Sequence, residues 1–254
     1  MSKYIRLKGL LVLVTALITL LSFVLLNSKE HVQTVKEGFA VVELFTSEGC
    51  SSCPAADDAV AKLLAKNIKN VFILSYHVDY WNRLGWKDEF SDHKFSERQQ
   101  QYSRSLSLEG VYTPQVVVNG TAQFVGSNEG ALNNAVKNGI SNGTRSNLTI
   151  SAERKRNTAI IMYNIKGNET VLLNTAVVLP AADTKVKRGE NGGRTLHHVN
   201  IVTSLNVVEL KGTGELTVEI PGQLTDKPIK IIAYTQAKAT LEVLGADEVI
   251  LDER

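Results

Sequence analysis

The chain has 254 residues, enough for one large domain or two ordinary ones, and its 43% hydrophobic and 21% charged residues are typical of a globular protein. The formal net charge of +2 is too small to suggest a nucleic-acid partner, and no basic stripe with interleaved aromatic side chains occurs. Nucleic-acid binding is therefore set aside as a function class. The chain contains only two cysteines, so any thiol chemistry must use this one pair.

The N-terminal region carries a long apolar segment. Residues 9–26 contain no charged side chain and follow three basic residues within the first eight. As a helix this segment would be roughly 27 Å long, close to the thickness of the hydrocarbon core of a bilayer. We predict a signal peptide or a transmembrane anchor with a polar tether over residues 1–37, and the lack of a clear cleavage site favours the anchor. Either alternative puts the rest of the chain on the exported side, periplasmic or extracellular, where disulfides persist.

Residues 38–145 alternate between strand and helix patterns. A short apolar run predicts the first strand, and Pro54 can occupy the first turn of the helix that follows. Asn119-Gly120 is a strong hairpin signal. Beyond that first helix, the pattern predicts in chain order a strand at 71–76, a helix at 91–108, strands at 111–118 and 121–125, and a helix that ends near residue 140.

Cys50 and Cys53 form a C-x-x-C motif between the first strand and the first helix, with Ser51 and Ser52 between them. The positive end of the helix favours the thiolate, which is the form that attacks disulfides. In this interpretation Cys50, nearer the surface, attacks, and Cys53 resolves the mixed disulfide. The serine hydroxyls can donate hydrogen bonds to the Cys50 thiolate. The alternatives are a structural disulfide and a metal site, but a disulfide closing so short a loop stabilises weakly through chain entropy.

The segment after the second predicted strand holds further candidates, namely His77, Asp79 and Trp81. Ligands of α/β sheets bind at the carboxyl ends of strands, so this segment is expected to lie beside the cysteine loop. His77 could act as an acid or a base, and Asp79 could pair with Arg83. The alternative is a structural loop packed by its tryptophans.

The second half of the chain, residues 146–254, is predicted to consist of strands separated by turns, as in an antiparallel sandwich. One long polar loop, residues 181–198, interrupts this pattern and ends in His197 and His198. This loop could fold over the cysteine site. A metal site built from both cysteines with His77 or a loop histidine is a further alternative, but its spacing matches no zinc motif, and we assign no metal ligand.

Two levels of resemblance follow from these residues. Between residues 38 and 142, the element order, the C-x-x-C motif and the Thr-Pro before the third strand resemble the thioredoxin fold. The strings ELFTSEGCSSCP, HVDYWNRLGW, FSERQQQY, YTPQVVVNG and RGENGGRT are similar to those of an exported bacterial thioredoxin-like family of unknown function. The fold class expected is an α/β thioredoxin-like domain at 38–145 followed by a β-rich, sandwich-like domain at 146–254.

The resemblance also implies roles for individual residues. It implies a cis bond between Thr113 and Pro114, which would leave the backbone before the proline free to pair with an extended substrate. It implies that Glu43 could shuttle the proton of the resolving cysteine. However, Glu43 lies one residue further from the motif than the acid of thioredoxin, and such an offset moves a strand side chain to the opposite face. The alternative for Glu43 is a solvent-exposed carboxylate.

The function expected from these features is thiol–disulfide exchange with exported protein thiols or disulfides, without a cofactor. Residues 9–26 would attach the protein to a membrane if they are not cleaved. A non-catalytic binding module, in which the disulfide only braces a loop, is the first alternative. A metal carrier using the two cysteines with a histidine is the second. The sequence does not predict the oligomeric state.

Overall fold

The computed structural model describes residues 38–144 and 146–252. The segment at residues 9–26, predicted to be a signal peptide or an anchor, lies outside these residues. Within the described residues, no helix has the length and apolar character needed to cross a membrane.

The described residues contain three α-helices and eleven strands. The helices are α1 Pro54–Ala65, α2 His93–Ser105 and α3 Glu129–Asn142. The strands of the first half are β1 Ala40–Thr46, β2 Val71–His77, β3 Gln115–Val118 and β4 Ala122–Val125. Those of the second half are β5 Leu148–Lys155, β6 Thr158–Ile165, β7 Val171–Lys185, β8 Thr195–Leu210, β9 Thr213–Glu219, β10 Ile229–Gln236 and β11 Val243–Leu251.

Eight strands form one mixed sheet in the order β11-β10-β7-β8-β2-β1-β3-β4. Strand β1 pairs with β2 in parallel and with β3 in antiparallel orientation. Strand β2 pairs on its other side with β8, in parallel. The Ser75 hydroxyl reinforces this junction by donating to the carbonyl of Val199 at 2.8 Å, and the Asn200 amide donates to the carbonyl of Ile73 at 3.0 Å.

Strand β1 is buried on both faces, which is why its sequence is almost continuously apolar. Successive side chains of a strand point to opposite faces. Val42 and Leu44 pack with α1 and α3, whereas Val41 and Phe45 pack with α2 on the other face. The cysteine loop leads directly into α1, so the C-x-x-C motif lies at the N-terminal end of this helix, on the face of the sheet that α1 covers.

A three-stranded sheet, β5-β6-β9, covers part of the second half. Its apolar side chains, including Ile161 and Val218, pack against Val177 and Ile231 of the large sheet. Side chains that alternate with these along β7 and β10, such as Val178 and Ile232, face the α2 side instead. The second half therefore supplies strands to the large sheet and a smaller sheet that covers one face of it.

The predicted fold class was wrong. We expected an α/β thioredoxin-like domain followed by a separate antiparallel sandwich, but one mixed sheet of eight strands runs through both halves of the chain. The β2–β8 pair joins the halves. The physical reason is that β2 would otherwise be an edge strand with unpaired backbone groups. Strand β8 satisfies that edge, a pairing between distant residues that local patterns do not reveal.

The predicted loop at residues 181–198 is mostly strand. Strands β7 and β8 continue to pair from Ala181 opposite Val199 as far as Lys185 opposite Thr195, so that only residues 186–194 form the connecting loop. The polar composition of these strand ends reflects exposure to solvent on one side rather than a lack of secondary structure. Strand β11 completes the sheet beside β10.

Candidate functional site

Cys50 and Cys53 form a disulfide in the loop between β1 and α1, with their Cα atoms 5.4 Å apart. Cys53 is the N-cap residue of α1, and Pro54 begins the helix. Both cysteines have no exposed surface (0%), whereas Ser51 and Ser52 are exposed. The expectation that Cys50 lies nearer the surface was therefore wrong, since both sulfurs are covered. The hydroxyl of Ser52 lies 3.4 Å from the Cys50 sulfur.

The loop at residues 186–194, hereafter the cover loop, lies over the disulfide. The backbone N–H of Ser51 donates to Glu190 Oε2 at 3.0 Å. The side-chain amide of the buried Asn191 donates to the carbonyls of Glu48 and Cys50, both at 2.9 Å. Arg194 Nη1 in turn donates to Asn191 Oδ1 at 2.8 Å. The sequence had suggested that this polar loop could fold over the cysteine site, and these hydrogen bonds confirm it.

A buried group of ionisable side chains lies beside the cysteine loop, and sequence analysis did not assign a role to two of its members. His198 Nε2 lies 3.6 Å from Glu48 Oε1, and His198 Nδ1 lies 3.6 Å from Asp57 Oδ1. All three side chains are buried. Burial alone would lower the pKa of His198, but the carboxylates of Asp57 and Glu48 raise it to about 10. The closeness of Glu48 and Asp57 to the C-x-x-C motif in the sequence is the feature that could have identified them as site residues.

Two of these three side chains, Glu48 and His198, keep some hydrogen-bonding capacity unused. Glu48 Oε2 accepts from Trp86 Nε1 at 2.6 Å, and Asp57 Oδ2 accepts from the Thr46 hydroxyl at 3.1 Å. In contrast, Glu48 Oε1 and both ring nitrogens of His198 are buried and have no hydrogen-bond partner among the described residues. Buried polar atoms are usually paired, so these atoms are available to a proton or a water molecule.

His77 extends this group. It is fully buried at the end of β2, its Nδ1 lies 2.7 Å from Asp88 Oδ2, and its ring centroid lies 4.7 Å from that of His198. Burial alone would raise the pKa of Asp88, but the contact with His77 and hydrogen bonds from the backbone N–H groups of Glu48 and Phe90 lower it below its usual value. Within the described residues, no three His, Cys, Asp or Glu side chains are placed to hold a metal ion together.

Thr113 and Pro114 directly precede β3 and are connected to the cysteine loop through Trp81. Their peptide bond is cis, as expected. Trp81 Nε1 donates to the Thr113 hydroxyl at 2.8 Å. Trp81 also packs closely on Gly49, where an added Cβ would come within 3.1 Å of the Trp81 Cβ. One tryptophan therefore connects the half-buried Thr113 to the residue before Cys50.

Glu43 and Asp79 are not brought to the disulfide. Glu43 points to the face of β1 that packs on α2, where Arg98 Nε donates to Glu43 Oε2 at 2.5 Å. This is the change of face that the strand offset implied. Asp79 accepts from the Ser96 hydroxyl at 2.5 Å and lies 3.1 Å from His93 Nδ1, rather than pairing with Arg83. Both carboxylates stabilise the position of α2.

These features define a class of protein: a mixed-sheet fold with a covered disulfide at a strand–helix junction and buried ionisable side chains beside it. The chain belongs to a family described as "Protein of unknown function (DUF1223)", whose model matches residues 41–236. Among curated proteins, none matches the chain significantly.

Two solved structures resemble the chain over most of its length. One is the X-ray crystal structure of a protein from Agrobacterium tumefaciens, which is 30% identical, with a TM-score of 0.65 over 86% of this chain and 96% of that one. The other is HBP35 of Porphyromonas gingivalis, which is 17% identical, with a TM-score of 0.60 over 84% of this chain and 75% of that one. The second likeness concerns the fold alone.

Proposed function

We propose that this protein is a thiol–disulfide oxidoreductase that exchanges disulfides with protein partners on the exported side through Cys50 and Cys53. The observation that carries the proposal is the disulfide at the first turn of α1, beside buried groups that can hold or release a proton. A bond that closes so small a loop contributes little stability through chain entropy. The helix N-terminus favours the thiolate of Cys50 once the bond is broken.

The exchange reaction balances with the two sulfurs and a partner dithiol. A partner thiolate attacks the Cys50 sulfur, the Cys50–Cys53 bond breaks, and Cys53 leaves as a thiolate that takes up a proton. The second partner thiolate then attacks the mixed disulfide and releases the Cys50 thiolate. Two electrons pass from the partner to this protein, and the partner gains a disulfide. The reverse sequence oxidises this protein and reduces a partner disulfide.

Access requires the cover loop to move, because the Cys50 sulfur is buried. Three hydrogen bonds, from Ser51 to Glu190 and from Asn191 to two carbonyls, hold the loop against the motif. Once the loop has opened, Thr113 is the candidate for pairing with the partner backbone, since Trp81 links it to the cysteine loop. In this proposal, opening of the loop controls when the sulfurs react.

The burial of both sulfurs also supports a second candidate, a non-catalytic binding module in which the disulfide braces the loop. A redox titration distinguishes the two. The full-length protein is equilibrated in dithiothreitol redox buffers and quenched with acid, and its free thiols are then labelled with a maleimide to measure the reduced fraction. The oxidoreductase predicts a reversible two-electron transition in the native protein. The brace predicts that the disulfide resists the buffer until the protein is denatured.

Trapping variants sharpen the test. Cys53→Ser retains the attacking sulfur and is expected to accumulate a mixed disulfide with a cysteine-peptide disulfide, whereas Cys50→Ser is expected not to. Ala55→Ser, which changes an exposed side chain in the first turn of α1, serves as the matched control and is expected to behave like the parent. Equal trapping by the two cysteine variants, or trapping by neither, would contradict the proposed roles.

A further inference from the structure

The His198 side chain occupies an unusual position for a residue so far along the chain from the cysteine motif. His198 belongs to β8, and its imidazole lies between the buried carboxylates of Glu48 and Asp57, each 3.6 Å from one ring nitrogen. Neither nitrogen has another partner among the described residues. A small shift of the ring would bring either nitrogen within hydrogen-bond distance of its carboxylate, so that the imidazole can exchange a proton with each of them.

The two carboxylates belong to residues on either side of the disulfide. Asp57 lies one turn after Cys53 on α1, and its backbone N–H donates to the Cys53 carbonyl at 3.1 Å. Side chains four residues apart on a helix share a face. Glu48 lies two residues before Cys50, and Asn191 binds the carbonyls of both residues. His198 is therefore connected to both ends of the cysteine motif by one side chain each.

A small polar cavity that opens to solvent borders this group at Asp57. It has a volume of about 190 Å³ and is lined by Pro54, Asp57 and Asp58 of α1 together with Arg194, Thr195, Leu196 and His197. A polar cavity of this size is large enough to hold water molecules. Water at Asp57 would let the buried group exchange protons with bulk solvent while the cover loop shields the sulfurs.

The exchange reaction needs a proton at this position. When the disulfide opens, Cys53 leaves as a thiolate that is buried and close to carboxylates, and both burial and like charge disfavour such an anion. At neutral pH His198 is protonated, because the carboxylates of Asp57 and Glu48 outweigh the effect of burial on its pKa. His77 and Phe90 are the other rings packed on it, and Asp88 lies behind His77.

We infer that His198, acting through Asp57, is the proton donor to Cys53 when the disulfide is reduced and the proton acceptor when it forms again. Glu48 positions the imidazole from the opposite side. In the balanced step, the His198 imidazolium loses one proton, Asp57 relays it, and the Cys53 thiolate becomes a thiol. Water in the cavity then supplies a proton to Asp57, which passes it to His198 and so restores the imidazolium. This inference rests on the proposed function, since it assigns a role within that reaction.

The test measures the second-order rate of disulfide reduction by dithiothreitol in the full-length protein, divided by the thiolate concentration at each pH. In the parent this normalised rate is expected to stay level and then to fall in the alkaline range as His198 loses its proton. His198→Gln is expected to lower the normalised rate at pH 7 about 100-fold, the size typical of general acid catalysis, and to remove the fall. Asp57→Asn is expected to reduce the rate similarly.

An exposed histidine elsewhere in the chain offers a matched control. His93 begins α2, its side chain is 70% exposed, and its Nδ1 lies 3.1 Å from Asp79 Oδ2. His93→Gln is therefore expected to keep the rate and the pH profile of the parent. The inference would be overturned if the His198→Gln protein has the circular dichroism spectrum of the parent and also keeps the parental rate and pH profile. If His198→Gln does not fold, an unchanged rate and profile in Asp57→Asn would overturn it instead. Failure of the parent itself to react would refute the proposed function.

Discussion

Replacement of Arg98 by methionine tests how much the buried ion pair between Arg98 and Glu43 stabilises the fold. Arg98 is 4% exposed and Glu43 is 1% exposed, so the ion pair between them is shielded from water. The guanidinium donates to both carboxylate oxygens, at 2.5 and 3.0 Å. It also donates to the Tyr102 hydroxyl at 2.9 Å. Arg98→Met keeps the apolar stem but removes every one of these hydrogen bonds.

The expected cost follows from the carboxylate that remains. Breaking a buried ion pair by removing one partner typically destabilises a protein by about 3–5 kcal/mol, since the other charge stays buried without compensation. Among the described residues, Glu43 would then keep hydrogen bonds only from the hydroxyls of Tyr102 and Tyr234. For a protein of this size, each kcal/mol shifts the melting temperature by about 2–4 °C, so the expected decrease is about 6–20 °C.

Thermal unfolding followed by circular dichroism at pH 7 measures this change. The double variant Arg98→Met/Glu43→Leu removes both charges and is expected to recover part of the loss, because an apolar pair avoids the cost of burying an unpaired charge. Lys62→Met is the control. It breaks the exposed pair with Glu129 and is expected to leave the melting temperature unchanged, as exposed pairs contribute little. A decrease below 2 °C for Arg98→Met, or a double variant less stable than the single one, would refute the reasoning.

Three further predictions concern the cover loop, a hairpin and pH. Asn191→Ala removes two hydrogen bonds that hold the cover loop closed. Each is worth about 0.5–1.5 kcal/mol, so the loss of both should raise the rate at which iodoacetamide alkylates Cys50 in the reduced protein roughly 5- to 150-fold. Gly120→Ala should lower the melting temperature clearly, because Gly120 has φ +71° and an added Cβ would lie 2.0 Å from the carbonyl oxygen of Leu241. The pKa of His198 is raised from 6.5 to about 10 in the folded protein, so its stabilisation is full below pH 6.5 and is lost as the pH rises to 10. His198→Gln should lack this alkaline decrease in the free energy of unfolding.

A specific result would contradict each of these three predictions. Parental alkylation kinetics in Asn191→Ala would mean that other contacts hold the cover loop closed. Gly130→Ala, where the nearest atom to an added Cβ is 3.5 Å away, is the control for Gly120→Ala, and equal melting temperatures for the two would contradict the steric argument. Parallel stability curves for the parent and His198→Gln between pH 6.5 and 10 would show that His198 carries no raised pKa.

Much of the local structure was predictable from the residues themselves. The strand before the cysteine motif, the helix that begins at Pro54 and the Asn119-Gly120 hairpin all occur as expected. These elements depend on patterns within a few residues, such as apolar runs, a proline suited to the first helical turn and a turn dipeptide. The cysteine pair was recognisable for the same reason, because both sulfurs belong to one short loop.

The assembly of these elements was not predictable in the same way. Strand β8 joins β2 at Ser75 opposite Ile201, a pairing that merges the two predicted parts into one sheet. The same strand carries His198 to Glu48 and Asp57. Nothing in the local pattern near residue 198 indicates which of the carboxylates in the chain it will meet.

The amino-acid sequence by itself determined which segments form strands and helices around the motif and which two cysteines lie close enough to pair, because both depend on near neighbours along the chain. The tertiary structure alone decided that the sulfurs are covered, that Glu43 turns away to Arg98, and that His198 stands beside the motif. Burial, ion pairing and proton transfer depend on distances in space, and these exist only once distant strands have paired.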